Sequence, residues 1–434
     1  MNKKLIFFNQ SLENNVLNIA FEVLNYIDKQ NRSSMISPDF YDGILLLISE
    51  ALPYLDKEKR WIDLGYQICQ HRKQMLESYG CLHRISMFGG LGSQCFSTNL
   101  FSRETGILNT FASSYNKLLF LEVDKKLQAL ENSPVADSNH DMISGISGVL
   151  YYLLDLDSDY TQDEYLILIR CIKYLLRLSH DTSFNGKSII KFHVHQPYQN
   201  PNFGQKEFKN GNINFGLAHG MLGPLIAMSK AYKKGFRVQG LLDGINKIYH
   251  LYKKFQIRNK NNIPYWPGPM SVEEYWAGTC RPEHLHISSS WCYGNIGILR
   301  GLQKVAGYMG WKKDELEYIN IMKNFLCQSI TSYDLYSPSL CHGFSSIVAI
   351  QSCSYFVYND QDLLVNLERN VWKIITEYRK SNDHEINLME ILSRSNLTEG
   401  YLKDLSLLTG SVGVAIALLS VNNFMKSSKL FMID

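Results

Sequence analysis

What the chain lacks narrows it first. No apolar run in its 434 residues is long enough to cross a bilayer. The opening stretch MNKKLIFFNQSLENN carries two lysines and then four apolar residues, Leu5 to Phe8, too few for a signal-peptide core. No C-x-x-C pair occurs among the nine cysteines, which argues against a zinc ribbon or finger. Their odd number and wide scatter, without a secretory signal, point to a reducing cytoplasm with thiols kept for packing or metal. Charge is nearly balanced: a formal +3 is too small to mark a nucleic-acid binder. There is no low-complexity tract, and 45% hydrophobic with 20% charged residues is an ordinary globular composition.

What is present is a repeat. A G-x-x-G step followed by apolar residues at helical spacing occurs at Gly89–Gly92, Gly145–Gly148, Gly220–Gly223, Gly294–Gly297 and Gly410–Gly413. A sixth copy keeps Gly343 and puts Ser346 at the second position; a seventh keeps only Gly43. The segments that follow, such as GVLYYLL and GVAIALLSV, are apolar on nearly every face and therefore belong inside. Between them lie segments with charge on one side only, starting near Asn14, Asp56, Ser113, Gln162, Leu241, Asp314 and Asp360. Seven buried helices alternating with seven half-exposed ones predict an all-α fold, an α/α toroid with an inner and an outer ring, built as one domain over 1–434. The glycines let backbones crowd at the axis and tolerate positive φ. Seven helix N-termini at one mouth give it a positive partial potential.

Two intervals are too long for turns. Residues 181–212 are polar with a short alternating piece, and residues 258–290 hold four of the eleven prolines and two tryptophans. Loops this long are usually functional; they are expected to form a small accessory lobe over the mouth. Within the second, YWPGP and EEYW read as an aromatic platform.

Only some repeat turns carry polar chemistry. NHDMISGISG has Asp141 four residues before Gly145, and NFGLAHGMLGPL has His219 beside Gly220. SWCYGNIGIL has Cys292, and SLCHGFSSIV has Cys341 and His342. In a toroid these turns share one end, so the residues converge. Two thiolates and an imidazole suit zinc, and three protein ligands leave a fourth position open. Packed thiols and a core histidine are the plainer reading of each residue alone. Cys280 is a competing fourth ligand, while Cys69, Cys171 and Cys327 read as buried fillers of outer helices.

NFGLAHGMLGPL, SWCYGNIGI and CHGFSSI resemble the three signature segments of the lanthionine synthetase C family, the cyclases of lantibiotic biosynthesis. The likeness spans the whole chain. It implies an α-toroid with a small lobe and one zinc held by Cys292, Cys341 and His342. It also implies His219 and Asp141 at the reacting centre, with Tyr293 as a further catalytic group and Trp291 against the substrate. The implied reaction adds peptide Cys thiols to dehydroalanine or dehydrobutyrine in the same dehydrated precursor peptide. A dehydratase and an ABC transporter would share the biosynthetic complex, placing the enzyme in the cytoplasm beside the membrane, with no role for nucleic acid. One position departs: Ser288 stands where bacterial cyclases often carry an Arg, four residues before the first zinc Cys. Arg281, His284 and His286 are the nearby candidates to replace it.

Two divisions of labour fit these residues: His219 as acid with Asp141 fixing its tautomer, or Asp141 as direct acid/base with His219 stabilising the enolate. Rival readings are another zinc-dependent thiol alkylation (glutathione addition or prenyl transfer) and a non-catalytic peptide- or thiol-binding scaffold. Prenyl transfer wants an Asp-Cys-His ligand set and clustered basic residues for a diphosphate. A toroidal glycosidase wants paired carboxylates, and Asp141 has no evident partner in the sequence.

Overall fold

The computed structural model describes residues 10–33, 36–55, 58–80, 84–156, 160–199, 208–382 and 403–434. The apolar residues Leu5 to Phe8, read above as too few for a signal-peptide core, and the helix start near Asp56 lie outside the described residues. Helices alternate outer and inner along the chain. The first half runs α1 (Gln10–Arg32), α2 (Tyr41–Ala51), α3 (Glu58–Tyr79), α4 (Leu91–Thr105) and α5 (Asn109–Leu130). The short α6 (Asp137–His140) then leads into α7 (Ile146–Leu153) and α8 (Gln162–Ser179). Strands β1 (Asp181–Phe184), β2 (Lys187–Ile190) and β3 (Asn212–Asn214) precede α9 (Leu222–Lys233) and α10 (Leu241–Lys254). Strands β4 (Ile257–Arg258), β5 (Pro264–Tyr265) and β6 (Pro269–Ser271) and the short α11 (Val272–Ala277) follow. The chain continues with α12 (Asn295–Met309), α13 (Lys312–Leu326), α14 (Phe344–Tyr358), α15 (Leu367–Asn382) and α16 (Ser411–Leu419).

Burial separates the two rings. Every residue of α7 and α16 is buried, as is α14 from Phe344 to Tyr355. These, with α2, α4, α9 and α12, form the inner ring of the toroid. The outer helices bury one stripe each. Helix α8 opens on a capping box, with Thr161 and Glu164 satisfying each other's backbone N–H groups. It then buries Ile167, Leu168, Cys171, Ile172 and Leu175 against the inner ring, the i, i+4 stripe of a surface helix. No described helix is long and apolar enough to cross a membrane.

The axis is filled from one side by the C-terminal segment. Arg300 donates to the carbonyls of Ile433 and Asp434, and Lys304 reaches the Asp434 carboxylate at 2.7 Å. Burial alone would push that carboxyl up, but Lys304 and Lys230 hold it well below the usual range. Phe431 meanwhile packs against Trp291 and Phe88.

The two long intervals carry the strands, all short and paired in three two-stranded antiparallel sheets. β3 pairs with β6, Asn210 donates to Glu273, and the Trp276 indole donates to the Ser188 carbonyl. The aromatic platform expected in YWPGP is not there. Trp266 is 1% exposed and spends its N–H on the Tyr252 carbonyl, anchoring the segment to α10. The Phe215 N–H donates to the Gly268 carbonyl, tying the same segment to the strand before His219. Cys69 and Cys171 are buried fillers, whereas Cys327, the C-cap of α13, is exposed.

Candidate active site at the turns of the inner ring

The site is built on turns that are laced to one another. Ser93 donates to Asp42, and the Met87 N–H to the Ile143 carbonyl. The N–H groups of Leu217 and Ala218 both donate to the Cys292 carbonyl; the Cys292 N–H donates to Cys341, and that of Cys341 to Leu408. Neighbouring repeats are therefore joined at the same level, which is how residues two hundred positions apart come to share one end of the ring.

Gly89 takes the positive φ expected of these turns, at +71°, but the glycines that cap the inner helices serve closeness rather than handedness. Gly145, Gly294, Gly343 and Gly410 all cap their helices with negative φ, so the positive φ expected above is not used there. A Cβ at Gly294 would overlap the Ser290 amide nitrogen and the Ser288 carbonyl. In the second repeat the cap is Gly90, not Gly89, with Ser93 three residues on. That matches the Gly343–Ser346 copy: in both, the serine hydroxyl bonds back to the capping glycine's carbonyl.

The donor atoms of Cys292, Cys341 and His342 lie within 4.8 Å of one another. Among the described residues this is the one cluster of three such groups that could hold a metal ion. Tetrahedral zinc with thiolate ligands would set sulfurs roughly 3.8 Å apart, so the donors fit with little adjustment. Cys292 is buried, Cys341 half-buried and His342 exposed, so the set runs from the interior to the surface. The neighbouring Cys341 thiol and the Ser290 hydroxyl, 3.6 Å away, hold the Cys292 thiol below its ordinary range despite burial. Cys280 is not in this cluster; its thiol points to the Arg281 carbonyl within the 258–290 segment.

Beside the thiols, His219 Nδ1 lies 2.6 Å from Asp141 Oδ2. Asp141 is fully enclosed, and its other oxygen accepts the N–H groups of Ser144 and Gly145. His219 keeps 27% of its side chain exposed. Burial pulls the imidazole down, but the Asp141 hydrogen bond and charge, with Asp137 and Cys292 beyond, outweigh it and leave it above its ordinary value. Tyr293 sits between two imidazoles, its ring 6.2 Å from His219 and 5.7 Å from His286. Burial pushes its phenol well up, so the hydroxyl stays neutral, and Asn214 donates to it. Trp291, expected against the substrate, is 1% exposed, and its indole N–H donates to the Phe431 carbonyl.

Of the three groups near Ser288, Arg281 pairs with Glu274 and Glu283, and buried His284 is held by Glu274 at 2.7 Å. His286 alone packs on Tyr293. Sequence reasoning passed over two residues of this pocket. Asn214 was readable only as a polar residue six before Gly220. Asp137 stands one helical turn before Asp141 in DSNHD, a spacing that could have flagged it.

With this geometry in hand, comparison with known proteins gives a family. Residues 34–433 match the sequence profile described as "Lanthionine synthetase C-like protein". The chain belongs to that family. It is 26% identical over 315 residues, 72% of each chain, to "Nisin biosynthesis protein NisC" of Lactococcus lactis subsp. lactis. Its fold matches a solved structure, "Nisin cyclase", at a TM-score of 0.79 and 21% identity, covering 96% of this chain and 98% of that one.

Proposed function

We propose that this chain is a lanthionine-forming peptide cyclase. A cysteine thiol of a dehydrated precursor peptide adds to the β-carbon of a dehydroalanine or dehydrobutyrine in the same peptide, closing a thioether ring. The observation that carries this is the adjacency of two thiols and an imidazole to the His219–Asp141 couple, within a family of lanthionine synthetases. One zinc ion held by Cys292, Cys341 and His342 would supply deprotonation of an incoming thiol at the open fourth position.

The remaining chemistry falls to side chains. The S–C bond forms at the β-carbon, the C=C pair moves toward the carbonyl, and the resulting enolate needs a proton at the α-carbon. His219 is the group able to give it: its pKa is raised toward the working range and its ring is partly exposed. Asp141 keeps Nδ1–H engaged, which directs Nε2 outward. One of its own oxygens is spent on the Ser144 and Gly145 N–H groups and the other on His219, which supports His219 rather than Asp141 as the direct acid. The Tyr293 hydroxyl, neutral and beside His219, borders the enolate position. Trp291 acts by holding the Cys292 turn.

Because the substrate arrives dehydrated, a dehydratase acts before this enzyme. We place both in a cytoplasmic biosynthetic complex with an ABC transporter. The test is to supply the zinc-loaded protein separately with a dehydrated Cys-containing peptide, with glutathione plus a dehydroalanine acceptor, and with a peptide thiol plus an isoprenyl diphosphate. Loss of free thiol without mass change in the first alone is expected. Alkylation in either of the others, with none in the first, would overturn the assignment.

A further inference from the structure

The Cys292 turn is tied only loosely to the turn that carries Cys341 and His342. The Cys292 N–H reaches the Cys341 carbonyl at 3.4 Å, long for a hydrogen bond. A shorter tie comes from the residue before it: the Trp291 indole N–H donates to the Phe431 carbonyl at 2.9 Å. The Phe431 ring, 1% exposed, meets the Trp291 ring edge-on at 5.5 Å between centroids and lies 5.8 Å from Phe88 of the second repeat turn. Edge-to-face rings at this spacing attract beyond their burial. One residue, 140 positions on, therefore engages both the polar atom and the ring of Trp291. The Trp291 carbonyl has little room to shift, since a Cβ at Gly297 would lie 2.0 Å from it.

Phe431 is itself pinned on both sides. Before it, Ser427 gives its N–H and its hydroxyl to Glu50 of α2, each at 2.7 Å, and Lys429 pairs with Asp155 just after α7 at 3.0 Å. After it, Met432 takes a left-handed conformation with φ 54° and reverses the chain. Asp434 then meets Lys304 of α12 at 2.7 Å and the Tyr151 hydroxyl of α7 at 2.6 Å. Glu50, Lys304 and Tyr151 are buried, where water cannot replace a displaced partner.

We propose that Phe431 is a positioning residue for the metal centre: fastened to the inner ring through Ser427 and Asp434, it holds Trp291 and so sets where the Cys292 thiol stands relative to the donors of Cys341 and His342. This rests on the reading of those three residues as metal ligands.

The test is Phe431→Ala, with Phe431→Leu as a second variant should the first not fold. Cobalt(II) is titrated into the metal-stripped protein, because its absorption reports both affinity and thiolate ligation. Affinity should fall roughly 10–100-fold, the range for groups that orient metal ligands. The thiolate-to-cobalt band should weaken while the far-ultraviolet circular dichroism stays unchanged. Trp291→Phe, which loses the N–H and keeps an aromatic ring, should move both in the same direction by less. Leu168→Ala empties a fully buried site on the outer helix α8 and controls for stability alone: it should melt lower yet bind cobalt as the wild type does. Wild-type affinity and absorption in a folded Phe431 variant overturn the proposal, as does an equal loss in Leu168→Ala. Failure of both Phe431 variants to fold overturns it too, because Phe431 would then be a core residue and no more. A wild type that binds cobalt through two thiolates yet closes no ring would strike the cyclase reading and leave this inference standing.

Discussion

Asp141 Oδ2 stands 2.6 Å from His219 Nδ1, joining two turns 78 residues apart. Asp141 does this while its other oxygen caps the backbone at Ser144 and Gly145, so a single enclosed side chain fixes both the helix start and the imidazole. Asp141→Asn preserves an acceptor for the backbone and removes the charge. Since that charge holds the His219 pKa up, its loss lowers it. An acid works only while protonated, so the high-pH limb of the rate profile should move to lower pH, with a lower rate at pH 7. An unshifted limb in the variant would separate Asp141 from His219.

His219→Asn keeps size and a hydrogen-bonding group but cannot protonate an enolate. The rate should fall on the order of 10²–10⁴-fold, the usual range for general acid–base catalysis, with zinc still bound because His219 lies outside the donor cluster. Thiols add slowly to dehydroalanine without enzyme, so the comparison needs an enzyme-free control for rate and ring stereochemistry. A zinc-loaded variant that cyclises within a few-fold of wild type would move the acid role to Tyr293 or Asp141.

Gly294→Ala tests the close approach of the turn that carries Cys292. The added methyl would overlap the Ser290 nitrogen and Ser288 carbonyl, and strain of this kind costs about 1–3 kcal/mol. The expected result is a lower melting temperature together with reduced zinc occupancy, measured by metal analysis of the purified protein. Wild-type occupancy and melting would show that the turn tolerates a side chain.

The two rings were legible in sequence because their signals are local: the glycine step, the fully apolar helix after it and the one-sided helix before it. The cysteine and histidine turns were legible because each sits at a fixed offset from its capping glycine. What escaped depends on distant partners. GGLG offers two registers, and only the Ser93 hydroxyl, bonded back to Gly90, selects the second. Trp266 and Trp291 looked available to a ligand until the Tyr252 and Phe431 carbonyls were seen to take their N–H groups. Asp137 drew no attention in the sequence, because its burial, like that of His140 against Phe192 of the strand-bearing segment, depends on distant elements. The filling of the axis by Asp434 is invisible without knowing that Lys304 and Arg300 point inward.

The central claim is that ring closure depends on the Cys292–Cys341–His342 centre. The most direct measurement is a free-thiol count by mass, after alkylation, on a dehydrated peptide. The peptide is incubated with zinc-loaded wild type, with chelator-stripped wild type, and with Cys341→Ala. The toroid should stay folded in all three, since its core is formed by the two rings of helices. Thiols should disappear with wild type and persist at the enzyme-free rate in the other two, with zinc absent from Cys341→Ala and activity restored to stripped wild type by added zinc. A Cys341→Ala protein that keeps full zinc and closes rings at the wild-type rate would contradict the account.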